Sequence, residues 1–488
     1  MQEFAVYETH ISRLLLTDEH VYKWKKPVRY AFIDLTTPEA RVRDCQWEVE
    51  LNRRLAPDVY EGVGRFIDPD GSEEPVVVMK RLPDARRLST LVRDDDPALA
   101  PLLTDVAAAL AEFHSRADTG PDISEDCTDA AIRRLWQANL DELRAVSEDI
   151  LEPRSLEAAW EAASVYLAGR RAVFEDRFEQ GRAVDGHGDL LCDDIFLMPD
   201  GPRILDCIEF DEHLRHLDPL ADVASLAMDL ERLGRPDLAQ GFLEAYRVLS
   251  GDDWPDSLAH LHIAYRATVR AKVACLRALH TTGDVEAASV ADARALMSLA
   301  LRQLRAATVR MVIVGGLPGT GKTTLAEQLS AATGWTVLSS DVVRKRLVGL
   351  EPDTNAGSSF GSGIYSGDMT ALVYDVLMDE AGAMMRTGQS VIVDASWIRR
   401  SWRDAAQKVA ERCLAEFVPV RCRVSGELAR ARIRQRMISG PQPSDATPSV
   451  YDEMAAALEP WYEAISVDTS EAPGAAVAAV LQVIGLEP

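Results

Sequence analysis

Lysine is scarce in this chain of 488 residues: reading the sequence gives 8 lysines among the 53 basic residues, so 45 are arginines. Three of the eight lie within four positions, at Lys23, Lys25 and Lys26. Acidic residues number 78, which makes the formal net charge −25. A chain this acidic is not expected to bind nucleic acid through its phosphates or to dock on anionic lipid. Local pockets of positive charge for small anions remain compatible with the total.

Long apolar runs and closely spaced cysteines are also missing. The run MVIVGGL at 311–317 is far shorter than the roughly 20 residues that a membrane span needs. The first ten residues, MQEFAVYETH, lack the basic and apolar regions of a secretory leader. The two nearest of the seven cysteines are nine positions apart, which excludes a CxxC motif and zinc-ligand spacing. These absences predict a cytoplasmic protein with reduced thiols and no membrane partner.

The pattern of apolar residues divides the chain in two. Residues 12–80 read as strands around one helix, and residues 101–304 read as mostly helical with one inserted hairpin. From about residue 308, short apolar strands alternate with helices, which predicts a parallel sheet covered on both faces. We therefore expect an N-terminal α+β domain over 1–306 and a C-terminal α/β domain over 309–488, with the boundary at 305–309.

A glycine-rich segment follows the first strand of the second half. GLPGTGKT at 316–323 fits G-x-x-x-x-G-K-[ST] between a strand and a helix, which is the context of a phosphate-binding loop. Its backbone N–H groups would surround phosphate, Lys322 would reach the terminal phosphates, and Thr323 would bind Mg²⁺. The motif thus predicts ATP with Mg²⁺ as cofactors. The predicted nucleotide-binding residues are Gly316, Leu317, Pro318, Gly319, Thr320, Gly321, Lys322, Thr323 and Thr324.

Further polar residues follow at intervals that suit phosphate transfer. Asp341 comes after the next strand, and Asp394 ends the strand SVIVD, where a carboxylate can hold Mg²⁺ through water. Arg432 and Arg436 are four apart, so they share one helix face. Asp341 could instead cap its helix, and the arginines could instead form a solvated helix face.

This second half resembles the P-loop small-molecule kinases, a group that includes gluconate kinase, zeta toxins and chloramphenicol phosphotransferase. The segments GGLPGTGKTTLA and SSDVVRKRL carry the resemblance. It implies that Asp341 faces the acceptor hydroxyl as catalytic base. It also implies that Arg436 and Arg432 form a lid over the nucleotide.

The first half contains a second phosphotransfer signature. HGDLLCDD at 187–194 approaches the kinase loop H-x-D-x-x-x-x-N, with Asp194 in the place of the usual asparagine, and Asp206 follows twelve residues later. This half resembles the aminoglycoside phosphotransferase family and implies a protein-kinase-like fold. By resemblance, Asp189 is the catalytic base, and Asp194 and Asp206 are Mg²⁺ ligands. The competing interpretation is an Asp-rich loop that caps a helix.

The lysine cluster then acquires a candidate role. A kinase-like fold needs a strand lysine on the nucleotide phosphates, paired with a helix glutamate. Lys23 and Lys25 share one face of the predicted strand; Lys23 is preferred and Lys25 is the alternative. Glu48 on the following helix is the expected partner, with Glu50 as the runner-up. The other interpretation is that the lysines protect an edge strand.

Nearly the full length resembles bacterial proteins described as bifunctional aminoglycoside phosphotransferase/ATP-binding proteins, through ELNRRLAPDVY and LDCIEFDE besides the segments above. The resemblance implies an ATP–Mg²⁺-dependent phosphotransferase with two active sites. Each would act on hydroxyl groups of sugar-like metabolites or antibiotics. In one alternative, one domain, the N-terminal one first, is a nucleotide-dependent regulatory module. In another, the P-loop half is a zeta-toxin-like sugar-nucleotide kinase. The expected partners are nucleotide and a small acceptor, without nucleic acid or membrane; the oligomeric state stays open.

Overall fold

The computed structural model describes residues 5–8, 11–30, 33–67, 71, 73–351, 354, 363–438, 446–471 and 473–486. The chain divides into two compact units. Unit 1 comprises Met1–Trp160, Phe174–Trp254 and Ala259–Gln303, and unit 2 comprises Glu161–Val173, Pro255–Leu258 and Leu304–Pro488. Within the described residues, no helix combines the length and the apolar character needed to cross a bilayer.

Unit 1 begins with an antiparallel sheet of strand order β1-β2-β3-β7-β6. Residues 12–25 form a hairpin that pairs β2 with β3. Helix α1 packs on this sheet; Thr37 caps it by accepting a hydrogen bond from the Ala40 N–H at 3.2 Å. The elements are β1 (Ala5–Glu8), β2 (Ser12–Leu16), β3 (His20–Lys25), β4 (Arg29–Tyr30), β5 (Ile33–Asp34), α1 (Pro38–Asn52), β6 (Tyr60–Ile67) and β7 (Glu73–Lys80).

The chain from residue 88 to 307 is mainly helical, with two short antiparallel strand pairs. Strand β8 pairs with β11, and β9 pairs with β10 as the predicted hairpin. The strands are β8 (Val184–Asp185), β9 (Ile195–Met198), β10 (Gly201–Ile204) and β11 (His216–Leu217). The helices are α2 (Leu88–Arg93), α3 (Leu99–Arg116), α4 (Pro121–Glu125), α5 (Asp129–Val146), α6 (Pro153–Gly169), α7 (Arg171–Glu179), α8 (Pro219–Arg232), α9 (Pro236–Ser250), α10 (Asp256–Leu279) and α11 (Asp284–Ala307).

Unit 2 contains a parallel sheet of order β13-β14-β12-β15-β16. Its central strand β12 is buried along its whole length, as the apolar run at 311–314 predicts. The elements are β12 (Arg310–Gly315), α12 (Lys322–Thr333), β13 (Thr336–Ser339), α13 (Ser340–Leu347), α14 (Gly367–Arg386), β14 (Val391–Asp394), α15 (Arg400–Arg412), β15 (Glu416–Arg423), α16 (Gly426–Ile438), α17 (Pro448–Ala457), β16 (Ile465–Asp468) and α18 (Pro473–Val483). The predicted fold class, an α+β part followed by a parallel α/β part, is confirmed.

Candidate active sites

The loop 186–191 of unit 1 is held by a buried carboxylate from helix α8. Asp222 accepts hydrogen bonds from the backbone N–H groups of His187 and Gly188, at 2.7 and 3.0 Å. Gly188 has φ +92°, and a Cβ there would lie 2.9 Å from a side-chain carbon of Ile208, so only glycine suits the position. The loop backbone is therefore fixed before any ligand binds.

The Asp222 carboxylate is itself held by a histidine from helix α3. His114 Nε2 lies 3.1 Å from Asp222, while His114 Nδ1 lies 2.8 Å from the Tyr246 hydroxyl. Burial would raise the pKa of Asp222, but the hydrogen bond and charge of His114 outweigh it and hold that pKa below its usual range. Asp222 thus stays ionised and keeps accepting from the loop.

The loop carries Asp189, the predicted base, in a half-buried position. Its Oδ2 lies 3.3 Å from a guanidinium nitrogen of Arg270 on helix α10. One helical turn earlier, Arg266 donates to the Gly188 carbonyl at 2.6 Å. Neither arginine is predicted from the sequence, because nothing local to helix α10 signals that it packs beside a loop about 80 residues away.

Asp194 lies close enough to Asp189 and Asp206 for the charges of both carboxylates to act on it. Burial and the neighbouring charges of Asp206 and Asp189 raise the pKa of Asp194. Asp206 has φ +65°, an uncommon conformation for a residue with a side chain. Oxygen ligands crowded together in this way fit Mg²⁺, because a divalent cation would relieve their mutual repulsion.

Both candidate lysines of strand β3 contact Glu48, but only Lys23 also contacts Asp206. Lys23 Nζ lies 2.8 Å from Glu48 and 2.8 Å from Asp206. Burial would lower the pKa of Lys23, but the carboxylates of Asp206 and Glu48 outweigh it and raise that pKa. Lys23 therefore connects helix α1 with Asp206, the second carboxylate of the kinase-like signature. Glu50, the runner-up partner, is exposed on helix α1.

Lys25 is placed differently, although it lies on the same strand face. Its Nζ contacts Glu48 at 2.8 Å and Asp44 at 2.9 Å, and it also pairs with Glu209. The Lys25 side chain is fully buried. A buried cation surrounded by three carboxylates holds helix α1 and residue 209 against the sheet. Glu209 was not anticipated, because its partner lies 184 positions away in the chain.

The phosphate-binding loop of unit 2 runs from the end of β12 to the start of helix α12. Gly319 and Gly321 have φ of +78° and +82°. A Cβ at Gly319 would lie 2.4 Å from the carbonyl oxygen of Ala429, so a side chain there is excluded. Helix α12 begins at Lys322, directly after the loop, so its free N–H groups face the site that an anion would occupy.

The Thr323 hydroxyl donates a 2.7 Å hydrogen bond to Oδ2 of Asp394. The two meet because β12 and β14 are adjacent parallel strands, with Val314 opposite Asp394. Among the described residues, Oδ1 of Asp394 is buried without a hydrogen-bond partner. Burial, with a contribution from Asp341, raises the pKa of Asp394. A hydroxyl and a carboxylate with a spare buried oxygen are a donor set that fits Mg²⁺.

Asp341 lies in the first turn of helix α13, and the helix cap position falls on Ser339. Asp341 is therefore not the N-cap residue of helix α13, which was the alternative to its catalytic role. Its charge acts on Asp394 and on the buried Arg344. Arg344 donates to the Ile364 carbonyl at 2.8 Å and lies over the Tyr365 ring at 4.8 Å.

The two lid candidates on helix α16 are not equivalent. Arg432 donates to the Thr469 carbonyl at 2.8 Å, and a Cβ at Gly321 would lie 3.7 Å from the Arg432 guanidinium. Arg432 is therefore beside the phosphate-binding loop. Arg436, one turn later, donates to the Ala446 carbonyl at 3.4 Å.

Each half of the chain matches the model of a known protein family. Residues 4–259 match the phosphotransferase enzyme family, and residues 311–461 match an AAA domain. An uncharacterized protein of Mycobacterium tuberculosis H37Rv, Rv2004c, is 40% identical over 466 residues, which is 95% of this chain and 92% of that protein. The predicted family resemblance is confirmed by these matches.

The chain is also similar to solved structures at low identity and low TM-score. A choline/ethanolamine kinase family protein from Mesorhizobium loti is 13% identical and covers 62% of this chain and 92% of its own, with a TM-score of 0.38. A gluconokinase from Sinorhizobium meliloti 1021 is 18% identical and covers 36% of this chain and 92% of its own, with a TM-score of 0.27.

Proposed function

The chain belongs to the phosphotransferase enzyme family, and on that premise we propose that it carries two ATP–Mg²⁺-dependent sites that phosphorylate hydroxyl groups of small molecules. One observation carries the proposal: in each unit a lysine lies near the carboxylates that would hold the metal. Lys23 lies 2.8 Å from Asp206, and the charge of Lys322 acts on Asp394. We also propose that the two domains comprise residues 1–306 and 309–488, and that the acceptors are sugar-like metabolites or antibiotics.

In unit 1, the acceptor hydroxyl would lie against Asp189. The oxygen of the acceptor hydroxyl would attack the γ-phosphorus of ATP. The bond between the γ-phosphorus and the β–γ bridging oxygen would break, so that ADP leaves, and the hydroxyl proton would pass to Asp189. Lys23, held by Glu48, would bind the nucleotide phosphates. Asp194 and Asp206 would hold Mg²⁺, which neutralises phosphate charge when it is bound.

In unit 2, the backbone of 316–321 and Lys322 would bind the phosphates. Thr323 and Asp394 would hold Mg²⁺. Asp341 would accept the proton of the second acceptor, and Arg432 would stabilise the charge on the transferring phosphate. Arg436 is proposed to join it in the lid.

The proposal is tested by screening metabolites and antibiotics with the intact protein, Asp189→Asn and Lys322→Ala. Mass spectrometry reads products heavier by one phosphoryl group. We expect each variant to lose one set of products and to keep the other. If the intact protein forms no ATP-dependent product, or if both variants keep every product, the proposed function is wrong.

The presence of Asp194 instead of asparagine favours a second candidate function, in which unit 1 binds nucleotide without transferring phosphate. The additional negative charge beside Asp206 would change the number of metal ions that the site binds or its affinity for nucleotide. In this case unit 1 would bind ATP–Mg²⁺ while every product of the screen disappeared with Lys322→Ala.

Asp194→Asn is expected to stabilise the metal-free protein, because it removes a carboxylate whose pKa is raised by burial and by Asp206 and Asp189. In EDTA at pH 8 the melting temperature should rise by roughly 2–4 °C, the shift that about 1 kcal/mol gives. Since a raised acid pKa destabilises only the ionised form, the gain should fade as the pH falls through that pKa. Calorimetry measures the melting temperature, and Asp200→Asn, a substitution in an exposed turn, is the control. A lower melting temperature of Asp194→Asn than of the intact protein would contradict the charge argument.

The two lysines of strand β3 are expected to have different roles: Lys23 binds ATP, and Lys25 stabilises the fold. Lys25→Met should cost about 3–5 kcal/mol of unfolding free energy, because Asp44 and Glu209 lose their buried cation and Glu48 keeps only Lys23. Lys23→Met should lose less stability and weaken ATP binding to unit 1 at least tenfold. Denaturant unfolding and calorimetric ATP titration, both with Lys322→Ala as background, measure the two effects. A stable Lys25→Met protein that fails to bind ATP would reverse the assignment.

A further inference from the structure

Two histidines and an aspartate of unit 1 converge outside both candidate active sites. Asp126 Oδ2 lies 2.8 Å from Nδ1 of His213 and 2.8 Å from Nδ1 of His216. All three ligand atoms lie within 4.8 Å of one another. Across the described residues, no other set of three or more His, Cys, Asp or Glu side chains meets that condition. Two imidazoles and a carboxylate are a donor set typical of Zn²⁺, Ni²⁺ or Fe²⁺ sites.

The backbone of each of the three residues is held by its own local structure. Asp126 directly follows helix α4. The backbone N–H of His213 donates to Asp211 at 3.0 Å, within the 3₁₀ turn Glu212–Leu214. His216 lies in β11, opposite Asp185 of β8. The cluster is therefore positioned by three independent anchors.

The distances fit a shared ion as well as a pair of hydrogen bonds. Ligands bound at about 2.1 Å and separated by 2.8 Å subtend roughly 84° at the metal. That angle, which applies to Asp126 paired with each histidine, is close to the angle of about 90° between neighbouring ligands of a six-coordinate ion. The three side chains line a cavity of about 70 Å³, together with Trp136 and Arg266. His213 remains largely exposed, with 68% of its side chain accessible, so an ion can enter from solvent.

We propose that Asp126, His213 and His216 bind one divalent transition-metal ion, separate from the Mg²⁺ that accompanies nucleotide. On binding, each Nδ1 gives its lone pair to the metal, and a proton bound there leaves to Nε2 or to solvent. The ion would tie the end of helix α4 to the loop before helix α8. Through the pairing of β11 with β8, it would also support the strand that leads into loop 186–191.

The test is a Co²⁺ titration of the full-length protein in excess Mg²⁺ and without nucleotide, read by visible absorption and calorimetry. The intact protein should bind one Co²⁺ at this site, and Zn²⁺ should displace it. His213→Ala and His216→Ala should each weaken binding more than about 100-fold, beyond the loss that outer-shell changes give. His260→Ala is the matched control, because the His260 ring is hydrogen-bonded to Gln303 and lies outside the cluster. This variant should bind Co²⁺ as the intact protein does.

Two further measurements decide which side chains hold the ion. Cys127 lines the same cavity, so loss of binding in Cys127→Ser with retention in His213→Ala would assign the ion to the thiol and overturn the proposal. Absence of Co²⁺, Ni²⁺ and Zn²⁺ binding at micromolar concentration by the intact protein would also overturn it. Because His213 is largely exposed, His213→Ala should keep the melting temperature measured in EDTA, which excludes misfolding as the cause of its loss.

Discussion

Asp189→Asn is expected to lower the turnover number of the unit 1 site by roughly 10²–10⁴-fold, the usual contribution of a positioned base. An amide cannot take the proton of the acceptor hydroxyl at the moment of attack. Binding of ATP to unit 1 should change little, because the proposed phosphate contact, Lys23 paired with Glu48, does not involve Asp189. Initial rates of ADP release with an acceptor of unit 1 measure the effect, and calorimetry measures the nucleotide affinity.

The variant should also fold normally, since the charged contact of Asp189 with Arg270 is long, at 3.3 Å, and both side chains are 30% exposed. Asp200→Asn in the β9–β10 turn makes the same chemical change away from the loop and should keep full turnover. If Asp189→Asn retains more than half of the unit 1 rate, the residue is not the base.

Lys322→Ala is expected to lower the turnover number of the unit 2 site by roughly 10²–10³-fold, because it removes a preorganised cation from the transferring phosphate. ATP should also bind unit 2 more weakly. The unit 1 products should persist, since Lys322 belongs to unit 2. The rate with a unit 2 acceptor and the ATP affinity are measured together.

Lys408→Ala provides the matched control, because lysine is rare here and Lys408 is exposed on helix α15. It should leave both activities unchanged. Equal losses from Lys322→Ala and Lys408→Ala would show that the effect is a change of net charge rather than loss of a phosphate contact. Loss in Lys322→Ala of products that Asp189→Asn also removes would instead indicate that the two sites are coupled.

The fold class was accessible from local patterns because the alternation of short apolar strands with helices repeats throughout the second half. The phosphate-binding loop was equally accessible, since its glycines, Lys322 and Thr323 are contiguous and their geometry follows from a strand, a turn and a helix. Asp394 required one further step, that carboxyl ends of neighbouring parallel strands meet. The structure places Asp394 2.7 Å from the Thr323 hydroxyl, as that step implies.

Local sequence patterns do not distinguish Lys23 from Lys25. A period of two predicts that both face the same side of strand β3, and both contact Glu48 there. Their difference comes from residues far along the chain, Asp206 beside Lys23 and Glu209 beside Lys25. Neither neighbour can be derived from the strand itself.

The sequence alone thus determined where the contiguous motifs lie, namely the phosphate-binding loop and the loop that carries Asp189. It also determined the parallel architecture of the second half. Only the tertiary structure decided which groups surround them, including Asp222 beneath the Asp189 loop and Arg270 beside it. The physical reason is that motif geometry follows from the φ and ψ angles of adjacent residues. The contacts of buried charges depend on how helices far apart in the chain pack together.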